Sequence, residues 1–168
     1  MNDFQAEPAE LIQKEVAAVE KVIKSGWYIL GNEVKNFESA WASHCGVNYA
    51  VGVGNGMDAI EIGLRALNIG AGDEVITTPM TAFATVLAII RAGATPVLAD
   101  IDAATALLDT VSVERCISSR TKAVLLVHIY GQVRNMDIWA ALCKHADIHL
   151  LTEPLQLHGL AGLVWTAD

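Results

Sequence analysis

The sequence predicts an α/β fold, a mostly parallel sheet with helices on both faces. Short apolar runs fall at 49–53, 74–78, 95–101, 123–130 and 148–152, with helical patterns between them at 57–67, 81–92, 111–118 and 136–145. Strand, helix and strand in alternation imply βαβ units and a parallel sheet. The chain is 53% hydrophobic, yet its longest apolar stretches, near 81–90 and 123–130, are short. A membrane helix needs about 18 consecutive apolar residues, so buried strands are the better reading. Turn signals stand where the alternation needs them: Gly70-Ala71-Gly72-Asp73 before the second run and Gly93-Ala94-Thr95-Pro96 before the third.

The elements ahead of this rhythm are helical. Leu11, Ile12, Val16, Val19, Val22 and Ile23 make one stripe over 8–24, and Ser25-Gly26 ends it. A second helix is expected over 33–44 with Val34, Phe37 and Trp41 inward. The 168 residues therefore divide into a helical arm, 1–48, and an α/β domain, 49–168. Net charge is −8, and the six Lys and five Arg are scattered, which argues against nucleic acid. The N-terminus has no basic run before an apolar stretch, so no signal peptide is expected. Cys45, Cys116 and Cys143 form no CxxC pair and are odd in number, which fits a reducing cytoplasm.

One loop carries the strongest ligand signal. Val51-Gly52-Val53-Gly54-Asn55-Gly56-Met57-Asp58 joins a strand to a helix. Gly54 and Gly56 let a ligand approach the backbone. The amides of Gly56, Met57 and Asp58 open the helix without intrahelical partners, at the positive end of its dipole, and suit a phosphate. A tight turn with no ligand is the competing reading. A Walker loop would need a lysine here, and a dinucleotide fingerprint would need its third glycine one residue later and an acid where Thr78-Pro79 stand.

Several segments, in order, resemble one family. Asn55-Gly56-Met57-Asp58-Ala59-Ile60 is similar to the "NGTxAL" of the DegT/DnrJ/EryC1/StrS aminotransferases, pyridoxal-phosphate (PLP) enzymes of fold type I that mostly act on nucleotide-linked sugars. Ser25-Gly26-Trp27, Gly72-Asp73-Glu74-Val75, Gly93-Ala94-Thr95-Pro96-Val97 with Asp100-Ile101-Asp102, Val127-His128-Ile129-Tyr130-Gly131-Gln132 and Gln156-Leu157-His158-Gly159 extend the match. The resemblance implies a truncated fold type I large domain, with 49–168 a partial cofactor-binding domain and a nucleotide sugar as substrate. It implies that Gly56, Met57 and Asp58 hold the cofactor phosphate. Ala82 and Phe83 would lie at the ring, Glu153 at the ring nitrogen and Gln156 at the ring hydroxyl. Met57 stands where the family has Thr, Ala82 where it often has an aromatic residue, and Glu153 where it has Asp.

The family's Schiff-base lysine lies beyond the His-Gly motif, and the chain ends at Asp168. The chain by itself is therefore expected not to transaminate. The family's first strand pairs with a last, antiparallel strand, so run 49–53 would lose a neighbour and run 148–152 would form an exposed edge. Open edges recruit other chains, which predicts a homo-oligomer. The tail 159–168 reads either as packing that caps an edge or as debris of a truncated gene. His145 and His149 have a zinc-like spacing, but Ala146-Asp147 break the helix between them, so no metal is expected. His128 and Tyr130 read as substrate contacts or as packing, and Trp27 and Tyr28 as contacts or as burial. Three functions stand: a sugar aminotransferase front portion, a non-catalytic oligomerising or partner-binding remnant of that fold, or a nucleotide-binding α/β module.

Overall fold

A computed structural model describes residues 6–133, 135–153 and 164–165. The chain divides into two compact units, Met1–Gly52 and Val53–Asp168. The first holds helices α1 (Ala9–Ser25) and α2 (Asn32–Cys45). Glu10 in the first turn and Lys24 in the last complement the α1 dipole, and Gly26 closes the helix at φ 67. The apolar stripe forms but stays exposed: Val16, Val19 and Ile23 are 61%, 59% and 59% accessible. In α2 only Ala42 is buried. Phe37 does not point inward as expected; it is exposed and stacks on Trp41, with ring centroids 5.9 Å apart. That stacking gives it a local aromatic partner in place of a core. Trp27 and Tyr28 are both exposed.

The expected strand over 49–53 does not form. A strand exists through its ladder, and among the described residues this segment pairs with none. The Gly52 N–H donates instead to the Glu38 carboxylate at 2.8 Å, and Tyr49 and Val51 are exposed.

The second unit is the α/β domain. In chain order it runs α3 (Gly56–Ala66), β1 (Glu74–Thr77), α4 (Phe83–Ala92), β2 (Thr95–Leu98), α5 (Thr110–Cys116), β3 (Thr121–Val127), α6 (Met136–Ala146), β4 (His149–Glu153) and β5 (Val164–Trp165). The sheet order is β2-β1-β3-β4-β5. The pairs β1–β2, β1–β3 and β3–β4 are parallel, and β4–β5 is antiparallel.

The period-2 alternation of strand side chains sorts this core into two layers. Val75, Ala123, Leu125 and Leu151 pack against Ile60 and Leu64 of α3 and Ala88 and Ile89 of α4. Ile76, Val124 and Leu126 pack on the opposite face against Val113 of α5 and Trp139 and Cys143 of α6. Helices therefore cover both faces. Burial in this second layer pushes the Cys143 thiol up to about 11, so it stays protonated and inert.

Several strand limits, and one sheet edge, differ from the sequence expectation. The third run keeps its ladder only to Leu98, and Ile101 makes an isolated bridge to Leu108. The run at 123–130 becomes β3, which starts at Thr121 and stops at Val127, because Ile129–Gly131 winds into a single 3-10 turn ending on Gly131 at φ 76. The edge expected to be bare at β4 is covered, since Leu151 pairs with Trp165 and Thr152 with Val164. Residues 164–165 thus follow the edge-capping reading of the tail; the remainder of that tail lies outside the described residues.

Leu125 is fully buried in β3 between two parallel neighbours. Leu125→Ala should cost about 2–5 kcal/mol in urea unfolding. Ile62→Ala, at a half-exposed position on α3, should stay within about 0.5 kcal/mol of the parent.

Candidate functional site

Parallel strands gather their carboxyl ends along one edge, where open α/β sheets bind ligands. Here β3 ends at Val127 and β4 at Glu153, and α4 begins at Phe83, just past β1. Glu153 shares the face of Leu151, the face that α4 covers. In the first turn of α4, Phe83-Ala84-Thr85-Val86-Leu87, Thr85 is the lone hydroxyl, and it is fully buried. Its Oγ1 donates to Glu153 Oε2 at 2.7 Å. Thr81 Oγ1 lies 2.7 Å from Thr85 Oγ1. The backbone holds the carboxylate in place, as the His128 N–H donates to the Glu153 carbonyl at 3.0 Å.

Two carboxylates are buried in this sheet, and their surroundings differ. Glu74, 6% accessible at the start of β1, pairs with Arg120 and accepts from the Ser118 hydroxyl. Glu153, 8% accessible at the end of β4, has no cationic partner among the described residues. Burial pushes the Glu153 carboxyl above its ordinary range, and the hydrogen bond from Thr85 pulls the other way. Glu74 is a neutralised structural ion pair. Glu153 is a desolvated acid at the carboxyl edge of the sheet, the pattern expected of a functional group.

The start of α3 supplies the second part of the site. This helix of 11 residues leads into the start of β1 at the amino edge of the sheet, so its own first turn lies back toward the carboxyl edge. Asn55 caps it reciprocally: its Oδ1 accepts from the Asp58 N–H and its Nδ2 donates to Asp58 Oδ2, both at 2.9 Å. The Asp58 amide is therefore engaged. The amides of Gly56 and Met57 precede the first intrahelical bond, from Ala59 N–H to the Asn55 carbonyl at 3.1 Å. A Cβ built on Gly56 would meet nothing within 4 Å, so this turn is open. The Asp58 carboxylate also lies 3.6 Å from Arg91 of α4, which pairs with Glu61 at 2.8 Å.

Of the other residues singled out from the sequence, Met57 is half-buried against the core, while Ala82 and Phe83 are exposed at the start of α4. Gln156 and the Tyr130 side chain lie outside the described residues. His128 is buried at the end of β3. His145 closes α6 and His149 opens β4, so they share no helix face. Sequence reasoning passed over three contributors: Thr85, Asn55 as a cap, and Arg91 as the cation bridging α3 and α4. Thr85 carried a signal, a hydroxyl among the apolar residues that open the helix.

A desolvated strand-end carboxylate and two open amides at a glycine-led helix start lie on one doubly covered, mostly parallel α/β domain. The donor set fits a phosphorylated ring carrying a basic nitrogen, with the amides for the phosphate and the acid for the nitrogen. Residues 9–161 match the DegT/DnrJ/EryC1/StrS aminotransferase family, and the chain belongs to that family. It is 45% identical over 148 residues to the dTDP-3-amino-3,6-dideoxy-alpha-D-galactopyranose transaminase of Aneurinibacillus thermoaerophilus, a match covering 88% of this chain and 41% of the relative. A crystal structure of Streptomyces venezuelae DesV in complex with a ketimine intermediate superposes with a TM-score of 0.88 at 41% identity, covering 94% of this chain and 42% of that one. NtdA from Bacillus subtilis with bound cofactor PMP superposes with a TM-score of 0.81 at 27% identity, over 85% of this chain and 33% of that one. The chain thus spans about two fifths of the length of the first two of these relatives. No helix among the described residues is long and apolar enough to cross a membrane.

The raised pKa of Glu153 gives its pH dependence a definite sign. The folded chain holds the Glu153 proton more tightly than the unfolded chain, so its stabilisation is complete below the unfolded value and is lost as pH rises through the folded one. Glu153→Gln should therefore gain stability relative to the parent between about pH 4 and about pH 7. Denaturant unfolding at both pH values checks this; a constant difference would contradict it.

Proposed function

We propose that these residues form the cofactor-gripping front of a PLP-dependent nucleotide-sugar aminotransferase, with Glu153 as the acid at the ring nitrogen. The observation that carries the reading is the buried Glu153 carboxylate, without a cation among the described residues, at a parallel strand's carboxyl end. When bound, PLP stores carbanion electrons in its ring, provided the ring nitrogen stays protonated. Glu153 would hold that proton. Its extra methylene relative to Asp is accommodated by reaching to Thr85 on α4. The Gly56 and Met57 amides would take the phosphate, with Asp58 completing the helix start through Asn55. Met57 brings no hydroxyl, so this chain makes one phosphate contact fewer than the family's Thr would. Ala82 and Phe83 would border the ring, and Gln156 its hydroxyl. The substrate in this reading is a nucleotide sugar, as the relatives' names support.

The same reading holds that these 168 residues do not transaminate unaided. Lys122 opens β3 and Lys144 stands in the last turn of α6, so both lie at the sheet edge opposite Glu153. Lys14, Lys21 and Lys24 are engaged in ion pairs with Glu10, Glu33 and Glu20, and Lys35 stands 5.9 Å from the Trp27 ring. No lysine of the α/β unit stands at the cofactor edge to anchor PLP or move its proton. The expected behaviour is reversible PLP binding, weakened at least about tenfold by Glu153→Ala, a loss on the scale of a charged hydrogen bond. Inorganic phosphate should compete, and NAD should not bind. Titration followed by borohydride reduction and mass spectrometry checks this. A specific pyridoxyl-lysine would overturn the inactivity, and failure to bind PLP would sink the cofactor reading in favour of a binding remnant.

The reading includes a cytoplasmic homo-oligomer. Three unpaired cysteines support the compartment, and the exposed apolar stripe of α1 supports self-association. Sedimentation should give a dimer or larger species, and Val16→Glu with Val19→Glu should shift it toward monomer. A monomeric parent would count against it.

A further inference from the structure

The contacts around Glu153 form a chain of two hydroxyls: Thr85 Oγ1 reaches Glu153 Oε2 at 2.7 Å, and Thr81 Oγ1 reaches Thr85 Oγ1 at 2.7 Å. A threonine hydroxyl has one proton to donate, and an ionised carboxylate can only accept. With Glu153 ionised, the Thr85 proton points at Oε2. Thr81 must then be the donor in the second contact, and its lone pairs face away from the acid. With Glu153 protonated on Oε2, every donor reverses: the carboxyl donates to Thr85, Thr85 to Thr81, and the Thr81 proton turns away. Thr85 is fully buried, Glu153 nearly so and Thr81 half-buried, so the chain leads from the interior toward the rim of the sheet.

We propose that Thr81 is a positioning residue for Glu153, acting through Thr85 as a two-hydroxyl relay whose direction carries the carboxylate's charge state to the rim. An ionised acid makes Thr81 an acceptor, so the rim takes a hydrogen-bond donor. A protonated acid makes Thr81 a donor, so the rim takes an acceptor. Chained hydrogen bonds polarise one another, and the outer hydroxyl therefore stabilises the inner charge.

Other charged groups on the packed elements are accounted for. β3 contributes Lys122 near its amino end and is followed by His128, whose backbone N–H meets the Glu153 carbonyl, while Asp137, Lys144 and His145 belong to α6 on the opposite face of the sheet. α4 contributes Arg91, at its opposite end and paired with Asp58 and Glu61. β1 contributes Glu74, at the far edge and paired with Arg120.

The functional meaning of the relay rests on the ring-nitrogen role of Glu153, but the relay itself is tested without cofactor. Carbon-13 NMR of the full 168-residue chain follows the Glu153 carboxyl directly. Thr81→Val should move its titration midpoint upward, although Thr81 does not touch the acid, and Thr81→Ser should restore the parent midpoint. An unmoved midpoint in Thr81→Val, or a Ser variant shifted as far as Val, overturns the relay. As a second measurement, the stability cost of Thr81→Val should grow with rising pH in the parent and stay flat in a Glu153→Gln background. Equal pH slopes in both backgrounds also overturn it. PLP titration of the same variants separates the two ideas: a working relay in a chain that binds no PLP leaves the relay standing and removes the cofactor reading, and the converse does the reverse.

Discussion

A strand buried on both faces leaves no side chain for water, and β3 imposes that constraint on everything around it. From Ala123 to Val127 its side chains are almost fully removed from solvent. Alternate residues must each find an apolar layer, so Ala123 and Leu125 require α3 and α4 on one side while Val124 and Leu126 require α5 and α6 on the other. The backbone is equally committed, with parallel partners on both edges in β1 and β4. Because parallel strands run the same way, their last residues collect at one edge. The position of Glu153 follows from that geometry rather than from its own preference, since a carboxylate prefers water.

The site inherits both the order and the cost of this arrangement. The alternation that places Leu151 in the core also places Glu153 toward α4, two residues on. There the acid meets one neutral hydroxyl, Thr85, and among the described residues no cation. Glu74, equally buried, meets Arg120. One sheet thus holds a settled carboxylate at one edge and an unsettled one at the other. The unsettled one lies at the carboxyl edge, where open α/β sheets as a class bind ligands, which makes it the group through which a charged partner would gain most.

Much of the fold was legible in the residues. Helix periodicity in α1, α3, α4 and α6 and the glycine stops at Gly26 and Gly93 reappear in the structure within a residue or two, and four of the five apolar runs hold strands. The family was legible because its motifs keep their order along the chain, and residues 9–161 match it. What failed did so where local pattern met a missing neighbour. Run 49–53 has the composition of a strand, but pairing is not a property of one segment, and Gly52 bonds to Glu38 instead. Phe37 has the spacing of a core residue, but α2 has little core to offer it, and it stacks on Trp41.

The sequence by itself determined the class of the protein: doubly buried strands, a glycine-led helix start, and an acid at the end of the last long run. Composition and spacing are local, and these features need nothing else. Only the tertiary structure decided which groups meet. Asp58 turned out to be occupied by its own cap Asn55, the edge of β4 to be covered at Leu151 and Thr152, and Glu153 to face Thr85. Glu153 and Thr85 are 68 residues apart, and no periodicity along the chain records that separation. They are brought together because parallel strands align their ends and a helix packed on one face must lay its first turn over them.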